Sequence, residues 1–295
     1  MYVFVTGATG WVGAAVVEEL LAHGHRVLGL SRSEEKGQAL KAKGADTLLG
    51  TLDDLDALHA AATNADAVAH LGFNHDFSRY VENAAQDQRV IDRLGAALQG
   101  TDKPLLVSST VSSLRVHGRV ATETDLPASD PSYPRRSEEA ARRLGERGVR
   151  AASVRLPSSV HGVGETHGFV PILINLARRT GVSAYIGDGA NRWPAVHVSD
   201  AARLYRLALE SGVTQPAYHA VGEDGVVFRD IAEAIGLKLG LPVESRVAAH
   251  FGGFAGFVGE DMLASSAVTR QVLDWQPTGP GLLADIRHPE YYAGA

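Results

Sequence analysis

Residues 131–144 read PSYPRRSEEAARRL, and Tyr133 is the phenol in this stretch suited to exchange a proton with a substrate. A free tyrosine has a pKa of about 10, and each unit of lowering needs about 1.4 kcal/mol of preferential stabilisation of the phenolate. Bringing such a group near neutrality takes roughly 4 kcal/mol from its neighbours. Arg136, three residues on, shares the tyrosine's face if the segment is helical and can supply a cation there; Arg135 then points elsewhere. Pro134 suits the first position of a helix, which would make Tyr133 a helix-start residue. The alternative is a tyrosine with no chemical task at the mouth of a charged, solvated helix.

A second group of residues is suited to phosphate. In VTGATGWVG, Gly7, Gly10 and Gly13 follow an apolar run and open an amphipathic one. Gly7 permits a tight turn, Gly10 lets a pyrophosphate approach the backbone, and Gly13 lets the helix sit close to the sheet. The helix start then offers unpaired N–H groups and a partial positive charge. The alternative, a turn with packing glycines, has less support once strand and helix flank the motif. Further on, in LGLSRSEEK, Ser31 and Arg32 stand where an NAD site usually places an acid for the ribose 2′-hydroxyl. A carboxylate would repel a 2′-phosphate, whereas a guanidinium bonds it, so NADP is expected ahead of NAD. The competing reading pairs Arg32 with Glu34 or Glu35 on the surface.

These residues need a scaffold, and the chain supplies one. Apolar runs at 2–5, 26–30, 47–49, 67–71, 105–108, 152–156 and 217–221 mostly lack polar alternation, as strands buried on both faces do. Between the first two, Val12, Val16, Val17, Leu20 and Leu21 form one helical stripe, Glu18, Glu19 and His23 fall opposite, and Gly24 can end the helix. A right-handed crossover then gives a parallel sheet, and its repetition predicts a doubly wound α/β fold of Rossmann type. Beyond residue 156 the rhythm loosens. Helices are expected near 199–211 and 228–239, and HFGGFAGFVGED carries too many glycines for a dependable helix. The expected division is a dinucleotide-binding domain of residues 1–160 and 190–225, with a smaller substrate lobe of 161–189 and 226–295.

Composition narrows the classes. The 295 residues are 45% apolar and 21% charged, an ordinary globular mixture. A net charge of −6, mild and scattered, argues against a nucleic-acid surface. The absence of cysteine excludes disulfides, thiolate metal sites and cysteine nucleophiles. With no apolar run near the roughly 20 residues a bilayer span needs, and an N-terminus that does not read as a signal peptide, a soluble cytoplasmic protein is expected.

Several segments, in order, resemble the extended class of the short-chain dehydrogenase/reductase superfamily, its epimerase/dehydratase-like branch. They are TGATGWVG, ADAVAHLGF, LLVSST, VRLPSSVHG, GDGANRWPAVHVSDAARLY and TRQVLDWQP. The resemblance implies that Gly7, Thr9, Gly10, Trp11 and Val12 wrap the pyrophosphate. Thr51 and Leu52 would border the adenine, although the family more often has Asp at position 51. Leu71 and Gly72 would line the adenosine-ribose side, Ser108 would follow the fifth strand, and Pro157 and Ser159 would edge the nicotinamide. Thr110 falls at the catalytic hydroxyl position. The family's catalytic pair is Y-x-x-x-K, which here reads Tyr133 and Ser137, so the lysine is replaced.

For the substrate side, His161 takes the place of a family tyrosine, and His167 lies in the same glycine-rich loop; either could face the nicotinamide, or simply pack. His75, Asp76 and Tyr80 could line a pocket. His75 beside Asp76 invites a metal, but adjacent side chains point apart and no third ligand has convincing spacing, so no metal site is expected. Arg192 and Trp193 lie where relatives contact substrate, and a surface salt bridge is the competing role for Arg192. The resemblance also implies a homodimer through helices near 79–99 and 137–147, against which stands the charge on the second. The expected function is an NADP(H)-dependent oxidoreductase acting on a small-molecule carbonyl or alcohol, with Thr110, Tyr133 and Arg136 at the reacting centre. The alternatives are a sugar-nucleotide epimerase or dehydratase, and a non-catalytic NAD(P)-binding sensor, which the missing lysine favours.

Overall fold

The computed structural model describes residues 1–114, 116, 118–128 and 133–292, so Pro131 and Ser132 of the tyrosine stretch lie outside the described residues. Its strands are β1 Tyr2–Thr6, β2 Arg26–Ser31, β3 Asp46–Leu49, β4 Ala67–His70, β5 Leu105–Thr110, β6 Ala151–Leu156, β7 Ser159–His161, β8 Ser183–Tyr185, β9 Arg192–His197, β10 Ala217–His219, β11 Glu223–Val227 and β12 Val243–Ser245. Its helices are α1 Trp11–Ala22, α2 Glu34–Ala42, α3 Leu55–Asn64, α4 Tyr80–Leu98, α5 Ser137–Glu146, α6 Phe169–Thr180, α7 Val198–Glu210, α8 Phe228–Leu239, α9 Ala255–Val258, α10 Ala267–Leu273 and α11 Leu282–Arg287.

All seven apolar runs singled out in the sequence become strands of one parallel sheet, ordered β10-β6-β5-β4-β1-β2-β3. The order reverses between β1 and β4, which opens a crevice at the carboxyl ends of the strands. One face is covered by α1, α2 and α7, where Val16, Val17, Leu20, Leu204 and Tyr205 meet Val3 and Val5. The other is covered by α3, α4 and α5, where Leu58, Ile91, Leu94 and Leu144 meet Phe4 and Val68. Burial on both faces is the physical reason the strands carry no polar alternation.

The second lobe has its own core. Strand β9 pairs antiparallel with β11 and parallel with β7, while β8 pairs with β12. Thus β9, expected within the dinucleotide-binding part, sits in a separate sheet. Only the segment after it, α7 with β10, returns to the large one. The glycine-rich tail forms a 3-10 segment at Ala248–Phe254, kinked at Gly252, followed by the single turn of α9. Among the described residues no helix is long and apolar enough to cross a membrane.

Candidate active site

Gly7 closes the turn after β1 with φ +67°, a left-handed conformation that only glycine adopts freely. A Cβ there would also lie 2.7 Å from the Gly72 amide nitrogen and the Leu71 carbonyl carbon, so the turn packs directly on the end of β4. Gly13 is constrained more tightly, because a Cβ would stand 2.0 Å from the Gly7 carbonyl oxygen. Its smallness therefore serves the contact between α1 and its own turn. Gly10 caps α1 in extended geometry with no side chain bonded to the helix start. The first-turn amides of Trp11, Val12 and Gly13 consequently remain for a ligand, and the cradle fits a diphosphate. The half-buried Thr9 lies within the turn. The Trp11 indole donates to the Val160 carbonyl at 2.7 Å, tying the turn to β7.

On the adenosine side, Ser31 is buried and donates to the Ser33 carbonyl, and Ser33 in turn caps α2. Arg32 is exposed, and among the described residues neither Glu34 nor Glu35 pairs with it. Thr51 binds Asp54 through both its amide and its hydroxyl, and these bonds hold the Asp54 carboxyl below its usual range. Leu52 lies beside Gly72; a Cβ on that glycine would be 3.2 Å from the leucine side chain.

The crevice continues over β4 and β5 into a buried polar network. The Gly72 amide donates to Thr6 Oγ1 at 3.1 Å, and Thr6 Oγ1 lies 2.7 Å from His70 Nδ1. His70 Nε2 lies 3.1 Å from Asp87 Oδ1. A His70 tautomer protonated on Nε2 satisfies both of its contacts, accepting from Thr6 and donating to Asp87. The other Asp87 oxygen accepts from Ser137, and Ser137 Oγ accepts from Arg135 Nε at 2.7 Å. Arg135 Nη2 donates to the Ser108 carbonyl at 2.9 Å, and its guanidinium stacks 4.1 Å above the Phe73 ring. Burial alone would raise the Asp87 carboxyl, but the His70 hydrogen bond, the Arg135 charge and Ser137 outweigh it and hold it low.

This arrangement corrects the helical reading of the tyrosine stretch. Helix α5 begins at Ser137 with Arg136 as its cap, so residues 133–136 are not helical and Tyr133 is not a helix-start residue. Arg136 therefore does not share a helical face with Tyr133; it pairs with Glu139 one turn along. Arg135, expected to point away, is the guanidinium turned into the site. Ser137 is 2% exposed, an internal link between Asp87 and Arg135.

Tyr133 packs edge-on against Tyr80 at 6.0 Å, and Tyr80 in turn against Phe73 at 6.1 Å. Burial, followed by the neighbouring Tyr133, pushes the Tyr80 phenol upward. His75 leans on Phe73 at 5.4 Å; desolvation and the Arg135 charge lower its pKa, so it is held toward the neutral imidazole. Tyr133, Arg135, Ser109, Ser113, Leu126 and Pro127 line a cleft of about 420 Å³. Glu138, which also lines it, is held by buried Arg155, whose guanidinium further binds the carbonyls of Thr122, Glu123 and Asp125. Thr110 Oγ1, at the end of β5, is half-buried and 3.0 Å from Ser112 Oγ. Ser108 faces inward instead, sharing its hydroxyl with Tyr205 at 2.6 Å and the His70 carbonyl. After β6, Pro157 and Ser159 are buried, and among the described residues Ser159 Oγ has no hydrogen-bond partner.

Other candidates lie elsewhere. His161 is fully buried with Nδ1 2.6 Å from Asp285, so its ring is engaged inside the second lobe. Trp193 is likewise fully buried, packed on Phe228 with its indole donating to the Phe257 carbonyl, and offers no face to a substrate. Arg192 forms a bidentate pair with Asp261. His167 is exposed and bonded to its neighbour Thr166.

The sequence profile of the NAD dependent epimerase/dehydratase family matches residues 3–221, which span the whole seven-stranded sheet and the crevice. This chain belongs to that family. An uncharacterized protein of Schizosaccharomyces pombe is 44% identical over 298 residues, covering 99% of this chain and 100% of that protein. A 4-hydroxy-2-methyl-3-oxo-4-farnesyl-3,4-dihydroquinoline-1-oxide ketoreductase of Stigmatella aurantiaca is 27% identical over 275 residues, 85% of this chain and 80% of that one. Among solved structures, the UDP-glucose 4-epimerase of Thermus thermophilus, in complex with NAD, superimposes with a TM-score of 0.75 at 21% identity, covering 100% of both chains.

For a member of the epimerase/dehydratase family, the network of Thr6, His70, Asp87 and Arg135 is the part that sequence reasoning missed. One signal was available. Asp87 lies on the same stripe of α4 as Asn83, Val90, Ile91 and Leu94, and an acid on a buried face needs partners. Which partners it has depends on β4 and on a segment fifty residues later, contacts that spacing alone does not encode.

Proposed function

We propose that this epimerase/dehydratase family member is an NADP(H)-dependent oxidoreductase acting on a carbonyl or alcohol. The observation that carries the reading is the placement of Tyr133 on the wall of the cleft, with Arg135 beside it across the ends of β4 and β5. The nicotinamide, when bound, supplies or accepts a hydride at C4. In the reducing direction the carbonyl carbon gains that hydride, its π pair moves to oxygen, and Tyr133 gives that oxygen its phenolic proton as general acid, to be replaced from solvent. Thr110 donates a hydrogen bond to the same oxygen, stabilising the charge that grows there. Gly7, Gly10 and the first-turn amides of α1 hold the diphosphate, and Arg32 binds the 2′-phosphate. The ketoreductase activity named for the Stigmatella relative supports the choice of carbonyl chemistry.

A second reading, a cofactor sensor, is favoured by the neutral, buried Ser137 in the segment resembling Y-x-x-x-K. Calorimetric titration with NADPH and NADH, followed by absorbance assays with a panel of ketones, aldehydes and sugar nucleotides, separates the two. Turnover of a ketone or aldehyde with NADPH is expected. Tight binding without turnover of any panel member points to the sensor, and no binding of either coenzyme defeats both readings.

A further inference from the structure

We infer that Arg135 binds the nicotinamide-side ribose, held in place by Ser137 and Asp87; this rests on the dinucleotide-binding reading above. The diphosphate cradle lies at the start of α1, against Gly72 at the end of β4. One half of the dinucleotide turns toward Arg32 and Thr51 at the ends of β2 and β3. The other half must cross the ends of β4 and β5, past Phe73. Arg135 is the guanidinium that waits there. Its side chain is only 16% exposed, fixed by Ser137, the Ser108 carbonyl and the face of Phe73.

Those contacts use Nε and Nη2. Among the described residues no partner is found for Nη1. A guanidinium is a rigid, planar set of donors with no acceptor, and two adjacent ribose hydroxyl oxygens offer it matching lone pairs. Asp87 lies 3.9 Å from Arg135 Nε and is bonded to Ser137, so it keeps the head group oriented and its charge compensated. Through His70 and Thr6 the same network reaches the Gly72 amide, where the β4 end packs on the glycine turn. Ser137 and Asp87 are thus positioning residues, and Arg135 is the residue that touches the cofactor.

The test compares two ligands by calorimetry. NADP⁺ carries the nicotinamide-side ribose; adenosine 2′,5′-bisphosphate carries the adenosine side alone. Arg135→Ala is expected to weaken NADP⁺ by about ten- to a hundredfold, the loss of charge-assisted hydrogen bonds, and to leave adenosine 2′,5′-bisphosphate unchanged. Arg135→Lys restores part of the loss. Retained binding of the bisphosphate shows that the variant is folded. Wild-type affinity for NADP⁺ in Arg135→Ala overturns the inference, as does equal weakening of both ligands in Arg135→Ala and Arg135→Lys. A wild-type protein that binds neither ligand overturns the dinucleotide reading itself, an outcome distinct from either of these.

Discussion

Arg135 Nε donates a 2.7 Å hydrogen bond to Ser137 Oγ, two residues along the chain and on the first residue of α5. A helix would have directed these side chains to different faces; the non-helical approach to α5 brings them together. This contact brings Arg135 into the site beside Arg136, which also lines the cleft, and it sets the terms for the experiments that follow.

Replacing Tyr133 with phenylalanine removes the proposed acid together with its hydrogen bond to Tyr80, while the ring keeps its edge-on contact with that residue. Ketone reduction is expected to fall by about 10²–10⁴-fold in kcat, the usual contribution of general acid catalysis. Calorimetric affinity for NADPH stays at the wild-type value. A Tyr133→Phe enzyme with full kcat rules out the phenol as proton donor.

Asp87→Asn tests the buried network through stability. Asparagine keeps the shape but sets an amide NH₂ against at least one of the donors from His70 and Ser137. A cost of about 1–3 kcal/mol is expected near neutral pH, since one buried partner goes unsatisfied. The pH dependence has a definite sign. The folded pKa of Asp87 is depressed, so its contribution is fully present above the ordinary aspartate value of about 3.9 and is lost as pH falls through the lower folded value. Denaturant midpoints of wild type and variant should therefore converge as the pH drops below that range; a gap that stays constant down to acid unfolding counts against the ionised network.

Glu165 has the opposite sign. It is buried in the second lobe, accepts a hydrogen bond from Tyr291, and is pushed up to about 8 by burial, with Asp285 adding to the rise. The fold favours its protonated form. Its contribution is fullest below the unfolded value of about 4.3 and declines as pH rises toward 8. Glutamine keeps an acceptor for Tyr291 and does not ionise. The melting temperature of Glu165→Gln, measured against wild type, should rise steadily from pH 5 to pH 8; a constant difference across that range removes the explanation.

Gly13→Ala places a methyl group against the Gly7 carbonyl, a backbone atom with no side chain to give way. The turn or the start of α1 must shift, with a stability cost of about 1–3 kcal/mol, the usual range for overpacking. NADPH and adenosine 2′,5′-bisphosphate should weaken together, because both use the cradle. Selective loss of NADPH alone would show that the turn tolerates the methyl.

The sequence by itself determined the sheet. Its seven strands are marked by local apolar runs, and the glycine triplet by local steric demands, so the parallel sheet and the cradle were readable from short stretches, while the strand order came from the structure. Helices α7 and α8 were equally legible, because a helical stripe repeats within a single turn or two. Tertiary structure alone decided what each polar residue does. Ser108 turns to Tyr205 across 97 positions, Asp87 meets Ser137 across 50, and His161 is taken by Asp285 across 124. Trp193, which the motif placed near substrate, fills the core of the second lobe because β9 leaves the large sheet and pairs with β7 and β11. The difference is physical: burial patterns repeat along the chain and can be read from it. A hydrogen-bond partner is fixed by where folding brings two distant segments, and a helix that starts at Ser137 rather than three residues earlier at Pro134 is enough to turn Arg135 into the site.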